Sequence, residues 1–437
     1  MTRFVPDGFR IALILSVVCG VLAAVLAFRH VRQNDGADLA LASHGLISIM
    51  LAVLGCVLFG SLAILKPSRH NPRGLTWTAV VWSLALLAAL VFSLQLVVLS
   101  NRWSSEIGVT IDSPAAMDAF IANHEASFAP YTWRIPTGVY LQSFEFLSSN
   151  NIKMSGFVWQ KYGPEIPDSV SRGVDLPEQI ADGDGPVEAW RNVVDGVEHI
   201  GWYFSGTFRQ NFDYHLYPFD RQDVWLRLWH PDDYVLLVPD FAAYRDLNPG
   251  TLPGLDTNFV YGGWDPVSSQ FSYDLVDYNV DFGQGYGFSG VLDPEFYFSL
   301  SVIRDPLGPL LNHVILEAVI AILLFFLLLL ASGTSGKDGR PGLPVFELVV
   351  ASGGLLFAVI LDRNAIRANI ETQSLTYLEW LPLILSAFIV LVVLGEVLEL
   401  KGWRLPRLVY NSNRLFVYAY WPALIACMLI VTLRNFF

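Results

Sequence analysis

Gly206-Thr207-Phe208-Arg209-Gln210-Asn211-Phe212-Asp213-Tyr214-His215-Leu216-Tyr217-Pro218-Phe219-Asp220-Arg221-Gln222 is the stretch on which the fold turns. The run Trp202-Tyr203-Phe204-Ser205-Gly206 leads into it and is rich in strand-forming aromatics. After it, Asp223 to Trp229 alternates polar and apolar residues with the period of a half-buried strand. Between them Tyr217-Pro218-Phe219-Asp220 is a tight turn, because proline fixes its own φ and aspartate offers a local acceptor. The stretch reads as a β-rich run that reaches this turn and returns as a strand.

The same period of two runs outward on both sides. Val139, Leu141, Phe144 and Phe146 fall in an apolar-rich strand pair with Phe157-Val158-Trp159-Gln160-Lys161-Tyr162 after it, and a late strand covers Phe296 to Ile303. Short strands separated by Gly, Pro and Asp turns, with no helical pattern between them, predict an all-β sandwich. The loops 163–187 and 246–266 are long and rich in Gly, Pro and Asp, and loops of that kind often bind ligands. Ser113-Pro114 is a helix start, a capping residue before a proline at the first helical position, and predicts one short amphipathic helix over 115–128.

Beyond this region the chain turns apolar. It has 437 residues, of which 53% are hydrophobic, and a mean hydropathy of +0.45. Seven apolar runs, near 11–28, 45–65, 77–99, 310–331, 344–361, 380–400 and 415–433, match a hydrocarbon core about 30 Å thick. Arg10 precedes the first run, yet no small-residue cleavage site follows it and two more spans come directly after, so it reads as a retained helix. Arg3, Arg10, Lys66, Arg69, Arg73, Lys337, Arg340, Lys401, Arg404, Arg407 and Arg414 fall on one face of this arrangement. The positive-inside rule then puts the N-terminus in the cytoplasm and the C-terminus outside. It makes the polar stretch extracytoplasmic. The expected architecture is an α+β membrane protein. Residues 1–100 form an N-terminal three-helix transmembrane domain, 101–128 a connector, 129–307 an extracytoplasmic β-sandwich, and 308–437 a four-helix transmembrane domain.

The net charge is −13 but unevenly placed: residues 100–307 hold 29 Asp+Glu against 11 Lys+Arg. An acidic surface argues against nucleic acid as a partner. It is either a solubilising surface or a vestibule that concentrates cations. Cys19, Cys56 and Cys427 all lie in apolar runs, so no disulfide braces the polar domain. No nucleophile–base pair, phosphate loop or zinc spacing stands out. Neither an enzyme nor a cofactor is expected.

The motifs taken in order resemble the pentameric ligand-gated ion channel family, in the bacterial form whose signature loop lacks bridging cysteines. Arg134-Ile135-Pro136-Thr137-Gly138-Val139-Tyr140-Leu141 looks like its first-strand motif, Phe157 to Tyr162 like its second strand, and Tyr217 to Gln222 like its signature turn. Phe296 to Pro306 resembles its last strand, with Arg304 at the strand–helix junction. Asn312 to Ile322 looks like the start of the first channel helix. Glu396 matches an acidic position of bacterial members, and Asn413-Arg414 with Pro422 resembles the opening of the last helix. The resemblance covers roughly 130–437. Leu316, followed by Glu317, stands where the family usually has a proline. Gly353-Gly354 interrupts the presumed pore helix, and the first three helices have no counterpart in an ordinary subunit.

The resemblance implies a homopentamer in a bacterial inner membrane that conducts inorganic cations. Its outer domain would respond to a small ligand, protons or calcium. A non-conducting receptor on the same fold, and a transporter with its site at His313 and Glu317, are the alternatives. Glu347, Val350 or Ala351, Gly354, Phe357 or Ala358, and Leu361 recur at helical spacing and would line the pore. There Glu347 is either a selectivity ring or a carboxylate serving the helix dipole. Pro218, Phe219, Asp220 and Arg304 would couple sandwich to helices, as the family's aspartate–arginine pair does, unless Arg304 only snorkels to headgroups. His313 and Glu317, at i and i+4 within an apolar run, are a proton-sensing pair, a weak metal pair, or a buried hydrogen-bonded pair. Trp159, Tyr278, Phe282, Tyr286 and Phe288 would form an aromatic ligand site between subunits, or simply pack. Asp182 and Asp184, and Asp232-Asp233, are oxygen ligands for a divalent cation or solvated turns.

Overall fold

The computed structural model describes residues 5–33, 39–67, 71–99, 107–180, 185–260, 262–278, 280, 292–331, 345–370, 374–400 and 414–437. Three long helices come first: α1 (Val5–Gln33), α2 (Leu39–Leu65) and α3 (Pro72–Leu99). A connecting strand β1 (Val109–Thr110) and the short helices α4 (Pro114–Asn123) and α5 (Glu125–Phe128) follow. The β region comprises β2 (Trp133–Ser148), β3 (Asn151–Tyr162), β4 (Val187–Val194), β5 (Val197–Arg209), β6 (Arg221–Leu228), β7 (Val235–Pro239), β8 (Leu255–Val260), β9 (Trp264–Val276) and β10 (Asp293–Arg304). The helices α6 (Leu307–Ala331), α7 (Val345–Ile370), α8 (Trp380–Leu400) and α9 (Arg414–Phe436) complete the described chain.

The strands make two sheets. One runs β1-β9-β10-β6; the other runs β4-β5-β3-β2-β7, with β8 also paired to β2. Side chains from both sheets fill one core, among them Ile135, Val139, Ile152, Phe204, Leu226, Phe271, Phe298 and Leu300. The period-2 strands behave as their sequence dictates. In β6, Gln222, Val224, Leu226 and Leu228 point inward and the intervening residues do not.

In β2 the apolar positions 139, 141, 144 and 146 change parity halfway. The residues lie on one strand, and its register against β3 shifts between Leu141 and Ser143. A bulge of this kind adds a residue and flips the alternation, which keeps Val139, Leu141 and Phe144 all in the core. The expected helix over 115–128 divides at His124 (φ −130°, ψ 38°), whose backbone ends α4. The N-terminal cap is as expected: Ser113 Oγ accepts from the Ala116 amide at 3.3 Å, with Pro114 at the first helical position. Phe120 and Phe128 from the two pieces both lie 5.9 Å from the Tyr273 ring, the first stacked on it and the second edge-on.

Six segments among the described residues are long and apolar enough to cross a membrane: Arg10–Ala27, Gly45–Leu65, Arg73–Leu99, Leu307–Ala331, Val345–Ala368 and Phe416–Phe436. By length and composition the chain is a multi-pass membrane protein of mixed α and β structure. The expected seventh span is shorter, its apolar part running Trp380–Gly395 before Glu396 in the sequence. α1 packs on α2, α2 on α3, and α3 along α9, so the N-terminal helices join the rest of the helix layer through its last member. Leu54, Leu86, Ala89 and Leu429 form that seam.

Leu300→Ala removes a wholly buried side chain shared by the two sheets. It should destabilise the protein by about 2–5 kcal/mol, read as a lower unfolding midpoint by tryptophan fluorescence. Val193→Ala, on the exposed strand β4, should move that midpoint by less than about 0.5 kcal/mol.

Candidate functional site

The loop between β5 and β6 closes on itself without a covalent bridge. Gln222 grips Asp213 from across the loop. Its Nε2 donates to the Asp213 carbonyl at 2.7 Å, and its Oε1 accepts from the Asp213 amide at 3.1 Å. The same Nε2 also donates to Asp220 Oδ2 at 3.1 Å. At the tip Tyr217–Pro218 is a cis peptide bond.

Asp220 is buried, 1% exposed, and meets Arg304 at the end of β10. The guanidinium donates through Nε to Oδ1 at 2.7 Å and through Nη2 to Oδ2 at 3.1 Å, while the Arg304 amide donates to the Asp220 carbonyl at 3.2 Å. A planar fork on a carboxylate is the strong, directional form of this contact. Arg304 also lies 4.1 Å from the Trp264 ring centroid, 4.9 Å from Tyr217 and 5.9 Å from Tyr214. These rings favour the cation through their π-faces. Burial pushes the Tyr214 and Tyr217 hydroxyls up, against the opposing pull of Arg304, so the cage stays neutral. Beside it is a cavity of about 770 Å³ whose lining includes Phe146, Tyr214, Trp264, Arg304 and Ile370.

This loop is also where the helix layer attaches. The segment between α7 and α8 donates the Tyr377 amide to the His215 carbonyl at 2.8 Å and the Leu378 amide to the Tyr217 carbonyl at 3.1 Å. The rings of Phe219, Tyr377 and Phe436 stack edge to face, 4.9 to 6.0 Å apart. Tyr377 Oη and Thr432 Oγ1 of α9 are hydrogen-bonded at 2.8 Å. Val97 of α3 is buried in the same cluster. Ile366, Ile370 and Leu378 enter the β core itself. The expected coupling residues Phe219, Asp220 and Arg304 therefore converge, with Pro218 in the same turn.

Glu379 holds the attaching segment in shape. It is fully buried and accepts from Arg367 at 2.6 Å, Arg363 at 3.3 Å, and the Thr376 amide at 3.0 Å. Burial alone would raise its pKa; the bonds from Arg367, Thr376 and Arg363 outweigh it and hold the carboxyl below its ordinary value of 4.5.

On α7, Leu348, Ser352, Val359, Asp362, Ile366 and Ile370 are buried. Glu347, Val350, Gly354, Phe357 and Leu361, the expected pore positions, are all exposed. Ala351 and Ala358 are half-buried at its edge. Glu347 lies in the first turn, where a carboxylate also complements the helix dipole.

His313 and Glu317 are buried on α6, and both meet Asp362 of α7. His313 Nδ1 lies 2.8 Å from Asp362 Oδ1, and Glu317 is in electrostatic contact with the same carboxyl. The pair expected from i, i+4 spacing is a group of three across two helices. Asp362 escapes sequence reading because the apolar run ends at Leu361, while the helix continues to Ile370.

Among the ligand candidates, Trp159 on β3 and Tyr278 in the loop after β9 belong to different clusters. Trp159 Nε1 donates to Asp240 at 2.9 Å, and the ring packs near Tyr244 and over Gly138, where a Cβ would sit 2.1 Å from it. Tyr278 Oη donates to Glu295 at 2.5 Å and accepts from Arg227 at 3.3 Å. Arg227 also pairs with Glu178. Phe282, Tyr286 and Phe288 lie outside the described residues, as do Asp182 and Asp184. Asp232 is committed locally, its carboxylate accepting from the Ser171 amide at 2.6 Å and hydroxyl at 3.1 Å. Among the described residues no group of three or more His, Cys, Asp and Glu is arranged to hold a metal ion.

No known protein-family profile matches the chain, and no curated protein matches it either.

Arg304→Ala leaves Asp220 charged, buried and unpaired. It should cost about 3–5 kcal/mol, measured by chemical unfolding in lipid nanodiscs, whereas Arg304→Lys, which keeps the charge but loses the fork, should cost less. At Glu379 the folded carboxyl titrates below 4.5, so its contribution is complete above that pH and fades as pH falls through the folded value. The stability gap between wild type and Glu379→Gln should stay constant above pH 4.5 and close below it.

Proposed function

We propose that the chain is one subunit of a homopentameric, cation-conducting membrane channel of the ligand-gated type, with its β-sandwich outside the membrane and four channel helices after it. The observation that carries this reading is the junction. One loop, between β5 and β6, holds the strand–helix corner through Asp220 and Arg304, and the α7–α8 segment through the His215 and Tyr217 carbonyls. A displacement of β10 would reach α7 through those bonds and through the pairs that Arg363 and Arg367 of α7 make with Glu379. The α7 face holding Glu347, Val350, Gly354, Phe357 and Leu361 supports it, since a pore helix must leave one face free of its own subunit.

In this reading five copies of Glu347 give one mouth of the pore a negative ring, which favours cations by direct field. Phe357 and Leu361 form an apolar constriction that closes by excluding water. The acidic outer domain raises the cation concentration near the entrance. A stimulus at the sandwich opens the pore only in so far as it binds the open state more tightly than the closed one. The three N-terminal helices brace the outside of the bundle through the α3–α9 seam, and through Val97 against the signature loop.

Purified protein reconstituted in planar bilayers, first shown to be pentameric by native mass spectrometry, should give discrete openings whose reversal potential follows the cation gradient. Glu347→Gln should move that potential toward zero. Silence from verified pentamers would leave a non-conducting receptor on the same fold, and absence of pentamers would remove both.

A further inference from the structure

Three ionisable side chains meet between α6 and α7 within the helix layer. Glu317 is 1% exposed, Asp362 6% and His313 7%, all in segments apolar and long enough to span a membrane. A histidine N–H at Nδ1 satisfies Asp362 Oδ1 at 2.8 Å. Both carboxyl oxygens of Glu317 and the second oxygen of Asp362 then have no hydrogen-bond partner, although the two carboxyl groups are in contact. An unpartnered buried oxygen has given up its bonds to water without replacement, and like charges in contact within an apolar layer repel. One proton held between Glu317 and Asp362 satisfies an oxygen on each and removes the repulsion.

We propose that His313, Glu317 and Asp362 form a proton-binding site within the membrane, in which one exchangeable proton is shared by the two carboxyl groups and His313 orients Asp362. The chemistry selects a proton over a metal ion. A hard divalent cation needs about six to eight oxygens, and among the described residues no group is arranged as a metal site. On α7 the nearest cations, Arg363 and Arg367, are bound to Glu379. α8 carries no titratable residue from Trp380 to Gly395. On α9, Tyr420 donates its hydroxyl to the Ala321 carbonyl at 2.8 Å, and Arg414, Tyr418, Cys427 and Arg434 are the other titratable residues of its sequence. At the β end of α6, Leu310 and Val314 pack on the core, and the charges there include Arg221, Asp265, Asp305 and the Asp220–Arg304 pair.

Because the site joins α6 to α7, loss of the proton leaves two adjacent carboxylates pushing those helices apart. On the channel reading, which this last step rests on, occupancy of the site is then a second control of the α7 position, independent of the outer domain.

Infrared difference spectra of the intact protein in lipid nanodiscs, taken between acid and alkaline pH, test the site without any current. A protonated-carboxyl carbonyl band should be present, shift in D₂O, and be lost in Glu317→Gln and in Asp362→Asn. Glu317→Asp, which keeps the carboxyl, should move the band rather than abolish it, and Glu347→Gln should leave it unchanged. Identical spectra for wild type, Glu317→Gln and Asp362→Asn would overturn the proposal. So would a band displaced when choline is replaced by sodium or calcium, which would make the group a metal site. A silent protein with the expected band would sink the channel reading and leave the proton site standing.

Discussion

The two-bond contact between Asp220 and Arg304 is the constraint on which the rest of the structure depends. Asp220 is almost fully buried, and a buried carboxylate is tolerated only when its charge and both oxygens are answered. Arg304 answers both oxygens, Gln222 adds a third bond, and Trp264 and Tyr217 shield the guanidinium from water. The pair pins the end of β10 to the loop after β5 two residues before Pro306 turns the chain into α6. The two sheets and the helix layer therefore meet at a fixed corner.

The same loop is bonded to the α7–α8 segment, and this makes α7 the common element of the molecule. At its C-terminal end Ile366 and Ile370 enter the β core, and Arg363 and Arg367 lock Glu379. One turn before Arg367, Asp362 faces His313 and Glu317. The opposite face is exposed throughout. Three different physical contacts, an apolar plug, two arginines on the buried Glu379 and a shared-proton group, thus act along one helix.

The junction was legible in sequence because its signal is local. A period-2 run, a Tyr-Pro-Phe-Asp turn and a return strand lie within one stretch, and Arg304 ends a strand of its own. β9 was harder, since Ser268, Ser269, Gln270 and Ser272 are polar yet buried, which hides its alternation. β4 is exposed along its length and has no apolar face to show. The bulge in β2 reversed the parity of its pattern midway. Non-local chemistry left still less trace. Asp362 lies 49 positions from His313, and Glu379 lies 12 and 16 from its two arginines, so only the folded chain brings them together. Trp264 looks like any other aromatic in a chain where 14% are aromatic, until Arg304 is placed over it.

That sheets and helices move as one through this loop is most directly tested by amide hydrogen exchange at Tyr377 and Leu378 in nanodisc-embedded protein. Both amides should be strongly protected in the wild type, and Arg304→Ala, distant in sequence and on another element, should speed the exchange of both together by tenfold or more, a loss of about 1.4 kcal/mol. Protection at Tyr377 and Leu378 that is unchanged in Arg304→Ala would contradict the account, because the helix layer would then be held independently of the buried pair.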